Sequence, residues 1–129
     1  MINNNPGPKK KILVVDDEVD FLKILKLNLE DSGYEVVTAL NGKEALKKMK
    51  SENPDAVILD IMLPGLNGEE VCKSIRKDPV FGKTPVIMAT GKNTDVDRII
   101  GKVIGADIYI TKPFDLKQLI SAIKKVLQN

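Results

Sequence analysis

Short continuous apolar runs alternate along this chain with longer stretches in which apolar residues recur at helical spacing. The runs cover residues 12–15, 34–39, 56–59, 85–89 and 108–110. All but the second lack in–out alternation and are mostly β-branched or aliphatic, which is typical of strands buried on both faces. A strand–helix unit repeated five times predicts an α/β domain with a doubly wound parallel sheet.

Capping residues indicate where the helices lie. The first predicted helix spans residues 19–32, carries Phe21 in its apolar stripe and stops at Gly33. Three later helices start at a short polar residue followed three positions on by Glu or Gln, a capping-box variant: Asn41 with Glu44, Asn67 with Glu70, and Asp115 with Gln118. A weaker helix is predicted at residues 95–104, where Gly101 either loosens the segment or allows close packing.

Composition bounds the class of protein. The 129 residues fit one domain at residues 11–129, preceded by a polar tail at residues 1–10 that we expect to be disordered. The net charge of +2 indicates neither nucleic acid nor a membrane as a partner, and no apolar run is long enough to span a bilayer. We therefore expect a soluble, cytoplasmic chain. Cys72, at helical spacing between apolar residues, is interpreted as packing, with a redox role as the alternative.

Polar residues follow four of the five predicted strands, at the sheet edge where ligands of such folds bind. They are Asp16, Asp17 and Glu18 after the first, Asp60 after the third, Thr90 and Gly91 after the fourth, and Thr111 and Lys112 after the fifth. Each could be an ordinary loop, cap or solvated residue by itself. Together they combine carboxylates, a hydroxyl and an amine, which favours a site for phosphate and metal.

Carboxylates crowded at one edge repel one another unless a cation lies between them. Magnesium fits because it takes oxygen ligands and needs only one or two protein carboxylates together with phosphate oxygens. Zinc is disfavoured, since the chain has no histidine and one cysteine. A carboxylate can also attack a phosphoryl group while a metal and a lysine neutralise the transferred charge.

Four segments resemble the signature motifs of response-regulator receiver domains, in the family's order and spacing. They are VVDDE at 14–18, LDIMLPGLNG at 59–68, MATG at 88–91 and GADIYITKPF at 105–114. The resemblance covers nearly the whole chain from residue 11. It implies a flavodoxin-like fold with strand order 2-1-3-4-5, similar to that of stand-alone chemotaxis regulators.

The resemblance also implies roles for individual residues. Asp60 matches the phosphoacceptor. Asp16 and Asp17 match the acidic pair that holds magnesium, with manganese as the alternative ion, together with Asp60 and the main-chain carbonyl of Met62. Thr90 matches the switch hydroxyl, Lys112 the lysine that pairs with the phosphoryl group, and Tyr109 the aromatic coupled to the switch. By their roles in the family, the catalytic residues are Asp60, Lys112 and Thr90, the switch residues are Thr90 and Tyr109, and the residues that tune the phosphoryl lifetime are Met62 and Lys92.

Two local features follow from the same likeness. It implies a cis peptide between Lys112 and Pro113, and a small residue, Gly91, that leaves the site accessible. Ile108 is a departure, because many members carry a second acidic residue after Asp107; it lies outside the reaction centre.

The implied function is two-component signal transduction in a phosphorelay. A sensor histidine kinase or histidine phosphotransfer protein would donate a phosphoryl group to Asp60, and the surface of the fourth helix, fifth strand and fifth helix would control an unknown partner. The chain would promote its own phosphorylation and dephosphorylation without being a turnover enzyme. No output module follows residue 129, so we expect a stand-alone receiver or one excised from a larger regulator or hybrid kinase.

Other classes are less compatible with the residues present. An aspartyl phosphatase would want a second acid where Met62 stands. A flavin carrier would want a phosphate loop where Asp16, Asp17 and Glu18 would repel phosphate. A receiver-like interaction module that is never phosphorylated is the remaining alternative.

Overall fold

The computed structural model describes residues 8–91 and 104–128. Its strands are β1 (Lys11–Val15), β2 (Glu35–Ala39), β3 (Ala56–Leu59), β4 (Val86–Thr90) and β5 (Ile108–Thr111). Its helices are α1 (Val19–Asp31), α2 (Gly42–Glu52), α3 (Gly68–Lys77) and a C-terminal helix (Leu116–Leu127). The strands form one parallel sheet in the order β2-β1-β3-β4-β5, which confirms the predicted fold class.

Successive strand residues point to opposite faces of the sheet and so divide the core into two layers. Leu13, Leu59 and Met88 face a layer that includes apolar residues of α2 and α3. Val14 and Ile58 face the other layer, which is covered by α1 and the C-terminal helix. Every strand between the sheet edges therefore carries apolar residues on both faces, as predicted from the continuous apolar runs in the sequence.

Helix starts agree with the capping residues. Asn41, Asn67 and Asp115 each accept a hydrogen bond from the backbone N–H three residues on. Of these three caps, only Asp115 forms the reciprocal capping box, in which the Gln118 side chain also accepts a hydrogen bond from the N–H of Asp115. Asparagine at the other two caps satisfies one orphan N–H of the helix, so the predicted helices at these positions are confirmed.

Several boundaries differ from prediction by one residue. Thr90 and Thr111 are the last residues of β4 and β5 rather than the first residues after them, because they pair in register. Cys72 is fully buried in the layer beneath α3, which confirms packing as its place in the fold. The predicted helix at 95–104 falls, apart from its last residue, outside the described residues, as do Gly101, Lys92 and residues 1–7 of the predicted tail.

Candidate functional site

Backbone hydrogen bonds extend the sheet by one residue and fix the positions of the site. The N–H of Asp16 donates to the carbonyl of Ala39 at 3.1 Å, and that of Asp60 donates to Val15 at 3.2 Å. At the far side, the N–H of Lys112 donates to the carbonyl of Thr90 at 2.8 Å. Because each of these residues continues a strand ladder, the sheet sets the position of its Cα.

A lysine joins two buried carboxylates at this edge. Lys112 Nζ lies 2.5 Å from Asp16 Oδ2 and 3.0 Å from Asp60 Oδ2. The two aspartates are 2% and 7% exposed, so water screens these pairs weakly. Burial alone would lower the pKa of the Lys112 amine, but its hydrogen bonds and attraction to Asp16 and Asp60 outweigh burial and raise that pKa above the ordinary value.

The second oxygen of each carboxylate is held by the backbone. Asp16 Oδ1 accepts from the N–H of Glu18 at 3.0 Å, and Asp60 Oδ1 accepts from the N–H of Met62 at 2.9 Å. These short-range turns fix the carboxylate planes, so that both Oδ2 atoms face the same amine. The arrangement is specified by local chain geometry on two strands and by a residue far away in sequence.

Gly68 allows α3 to start directly against the loop that follows β3. A Cβ at this position would lie 2.1 Å from the carbonyl oxygen of Asp60 and 2.6 Å from the Cα of Ile61. Its own N–H donates to the carbonyl of Ile61 at 2.9 Å. No side chain fits there, so this glycine of the LDIMLPGLNG segment serves close backbone approach.

The predicted switch residues lie on neighbouring strands. Thr90 is completely buried at the end of β4, beside Thr111 of β5. Tyr109 is half-buried and packs against the layer that contains the α2 and α3 side chains. The peptide bond between Lys112 and Pro113 is cis, as the resemblance implied.

Asp17 and Met62 lie at the open side of the site. Both are exposed, and together with Glu69 they line a cleft of about 440 Å³. Within residues 8–91 and 104–128, no three Asp, Glu or Cys side chains are arranged so that they could hold a metal ion. The structure therefore brings Asp16, Asp60 and Lys112 together but does not bring Asp17 into the same group.

The donor set nevertheless suits magnesium. Two carboxylates converge on the Lys112 amine, and within this group of three described side chains one amine balances only one of the two buried negative charges. Magnesium needs few protein carboxylates and completes its shell with water and phosphate oxygens. A cation would thus neutralise the remaining charge at this edge.

One contact at the site was not predicted from the sequence. Lys112 Nζ lies 4.5 Å from the centroid of the Phe21 ring, over its face. The sequence analysis placed Phe21 only in the apolar stripe of α1. A usable signal was present, because Asp16, Asp60 and Lys112 each follow by two residues a strand residue that faces the α1 layer.

Known proteins are similar to this chain in sequence and in fold. The response regulator receiver domain family matches residues 12–124. The alkaline phosphatase synthesis transcriptional regulatory protein PhoP of Bacillus subtilis is 47% identical over 119 residues, which are 92% of this chain and 49% of that protein. The chain therefore spans about half the length of this curated relative.

Solved structures give the same result. The chemotaxis protein CheY4 of Vibrio cholerae is 33% identical with a TM-score of 0.88, over 93% of this chain and 100% of that one. The BeF3-activated N-terminal receiver domain of RstA from Klebsiella pneumoniae is 28% identical with a TM-score of 0.87, again over 93% and 100%. This chain belongs to the response regulator receiver domain family, and is thus a receiver domain of two-component signalling.

Proposed function

We propose that Asp60 accepts a phosphoryl group from a phosphohistidine on a sensor kinase or phosphotransfer protein. The observation that carries this proposal is the Lys112 amine held against two buried carboxylates, Asp16 and Asp60. A cation so placed can balance the negative charge that phosphorylation adds at Asp60. The family membership and the open cleft beside Asp17 and Met62 support it as well.

The transfer conserves atoms and charge in one displacement. A carboxylate oxygen of Asp60 forms a bond to phosphorus while the phosphorus–nitrogen bond of the donor breaks, and its electron pair stays on the imidazole. Lys112 exchanges its hydrogen bond with Asp60 for one with the new phosphoryl oxygens. Attack of a water oxygen on phosphorus, which breaks the bond to Asp60 and releases inorganic phosphate and the free carboxylate, ends the signal. Met62 and Lys92 are expected to influence the rate of this hydrolysis. This self-directed chemistry is not the turnover of a general substrate.

Asp16, Asp17, Asp60 and the main-chain carbonyl of Met62 are the groups that would hold magnesium or manganese. The bound cation would neutralise charge on the transferred phosphoryl group and orient it in line with the attacking oxygen. Asp17 is exposed, so its carboxylate can turn toward the ion at little packing cost.

Phosphorylation would be read on β5 and the C-terminal helix, together with the segment before β5. Thr90 would hydrogen-bond the phosphoryl group, and Tyr109 would respond to the space that Thr90 leaves. The hydrogen bond from the Lys112 N–H to the Thr90 carbonyl couples the ends of β4 and β5 in this change. A partner protein in the cytoplasm, rather than nucleic acid or a membrane, would bind this surface directly.

The decisive experiment measures intact-protein mass after incubation with acetyl phosphate and magnesium. We expect one added phosphoryl group in the native chain and none in Asp60→Asn or in excess chelator. Asp78→Asn is a matched control, because Asp78 caps a loop at the opposite end of the sheet through bonds to the N–H groups of Val80 and Phe81. Phosphorylation of Asp60→Asn at the native rate would refute the assignment.

A native chain that stays unmodified would be tested next with beryllium fluoride. Binding of this phosphoryl mimic, with a change in the NMR signals of Thr90 and Tyr109, would indicate a working site that accepts a phosphoryl group only from its protein donor. Absence of both reactions would favour the receiver-like interaction module that is never phosphorylated.

A further inference from the structure

The Lys112 amine has a third neighbour that the phosphotransfer roles do not use. Its Nζ lies 4.5 Å above the centre of the Phe21 ring. Phe21 in turn meets Phe114 edge to face, with ring centres 6.1 Å apart and planes at 76°. The amine therefore lies between two carboxylates and an aromatic face.

The position of Phe21 is fixed by α1. Leu22, Leu25 and Leu29 of this helix are buried in the layer beneath it, and Phe21 and Phe114 pack against the same layer. Phe114 follows Lys112 by two residues, so the pair of rings joins α1 to the loop that carries the amine. A movement of that loop would therefore change the ring contact.

The ring complements the carboxylates chemically. An ammonium group has three N–H donors, and Asp16 and Asp60 use two of them. The negative face of an aromatic ring attracts a cation without requiring a particular donor direction. The ring also removes water from that side, which helps to keep the Lys112 side chain only 20% exposed.

We propose that Phe21 is a positioning residue that holds the Lys112 amine at the site through a cation–π contact. The proposal rests on the proposed function, because its use is to keep the amine in place while one hydrogen bond passes from Asp60 to the phosphoryl group. During that exchange the directional bond to Asp60 is lost, whereas attraction to the ring face persists over small displacements. An aliphatic side chain would fill the same space without this attraction.

The contact itself is tested without phosphorylation. In magnesium-free NMR spectra, the ε-methylene protons of Lys112 should lie upfield of other lysine signals because the ring current shields protons above the face. Lys112→Met identifies the signal by its disappearance. Phe21→Leu should move it to an ordinary position. A Lys112 signal that is unshifted in the native chain overturns the proposal whatever the phosphorylation results are.

The positioning role is tested by the initial rate of phosphorylation from acetyl phosphate and magnesium. We expect Phe21→Leu to lower the rate about three- to tenfold, the range a partly buried cation–π contact allows. Phe21→Tyr, which retains the aromatic face, should stay within about twofold of the native rate. Fluorinated phenylalanines at position 21 reduce the negative potential of the ring face with little change in shape. They should lower the phosphorylation rate progressively as their fluorine content rises.

Phe81→Leu is the matched control for loss of packing. Phe81 is buried in the other layer, away from the amine, so the same substitution should lower stability but leave the rate of the folded protein unchanged. Equal losses in Phe21→Leu and Phe21→Tyr, or a flat fluorine series, would overturn the proposal. A native chain that neither takes a phosphoryl group nor binds beryllium fluoride would instead refute the proposed function, and the NMR shift would still decide on the contact.

Discussion

The carboxyl end of the sheet holds a lysine between two aspartates, whereas the amino end holds an arginine beside one aspartate and several backbone carbonyls. We call the first the lysine cluster, made of Asp16, Asp60 and Lys112. We call the second the arginine cluster, made of Arg76, Asp107 and the carbonyl oxygens of Gly82, Thr84 and Gly105.

The arginine cluster has its charges and donors fully matched. Arg76 uses all five of its N–H groups as donors, at distances of 2.6 to 3.0 Å. Nε and Nη2 each donate to the carbonyl oxygen of Gly105, and Nη1 donates to those of Gly82 and Thr84. Nη2 also donates to the Asp107 carboxylate. Asp107 also accepts from the N–H of Val86 at 2.8 Å. Gly105, at φ +108°, leaves room for the guanidinium, since a Cβ there would lie 2.9 Å from Arg76 Nε.

The lysine cluster is not balanced in this way. Among the described residues, two buried carboxylates share one amine, so this group of three side chains keeps a net negative charge, and the amine has an aromatic face as its third neighbour. A saturated cluster fixes a connection between elements, here α3, β4 and β5. An unsaturated one leaves charge for a ligand. The difference predicts that substitutions at the two ends act differently on stability.

The largest effect is expected at the arginine cluster. Arg76→Ala should lower the free energy of unfolding by about 2–3 kcal/mol, because several partly buried carbonyls and Asp107 lose their donor. Urea unfolding measures this change. Lys73→Ala, at an exposed position of the same helix, is the control and should stay within about 0.5 kcal/mol of the native chain. An Arg76→Ala loss below about 1 kcal/mol would mean that water satisfies these carbonyls and that the cluster is not saturated.

A smaller effect, opposite in sign at the two ends, is expected from asparagine in place of aspartate. Without magnesium, Asp60→Asn should raise the free energy of unfolding by about 0.5–1 kcal/mol, because it relieves repulsion with Asp16. Its single amide oxygen still accepts from the Met62 N–H, and the Lys112 amine keeps its pairing with Asp16. Asp107→Asn should lower it by about 1 kcal/mol at most, since Asp107 is half exposed and its pairing with Arg76 is screened.

Urea unfolding in chelator measures both variants. Added magnesium should stabilise the native chain more than Asp60→Asn, because the ion replaces the missing positive charge. Changes of the same sign in the two variants would show that the clusters do not differ in charge balance.

The lysine cluster was accessible to sequence reasoning, whereas the arginine cluster was not. Parallel strands present their carboxyl ends at one edge, so Asp16, Asp60 and Lys112 could be grouped although Asp16 and Lys112 are 96 residues apart. Arg76 binds mainly backbone carbonyls, which every residue carries, so no pattern of side chains indicates its partners. In the sequence, Asp107 stood out only because many family members carry a second acidic residue after it, where this chain has Ile108.

The ring contact was missed for a related reason. Helical period places Phe21 near the buried face of α1, but the atom that its ring covers depends on how α1 is rotated against the loop after β5. The sequence also does not show that Asp16 is buried while its neighbour Asp17 is exposed, because both are aspartates. Local pattern predicts the elements and their edges, while contacts between distant elements require the packed structure.

The smallest effect concerns Cys72, which lies one turn before Arg76 in α3. The pKa of its thiol reports how well water is excluded from the amino end of the sheet. Burial raises the pKa of its thiol, while the charge of Arg76 lowers it and that of Asp107 raises it. The folded protein therefore keeps the thiol proton at a pH where the unfolded chain, with an ordinary thiol pKa of 9.0, loses it. The free energy of unfolding should then fall as pH rises above 9.0 toward the higher pKa of the folded state.

Urea unfolding of the native chain and of Cys72→Ala, from neutral pH up to 10.5, separates this effect from others. The Lys112 amine, whose pKa is raised above 10.5, keeps its stabilising charge through that window and loses it only at higher pH. Cys72→Ala should show a constant loss from packing and a shallower decline above pH 9.0. Parallel curves for the two proteins would mean that water reaches the thiol, and that the amino end of the sheet is as open to solvent as the cleft beside the lysine cluster.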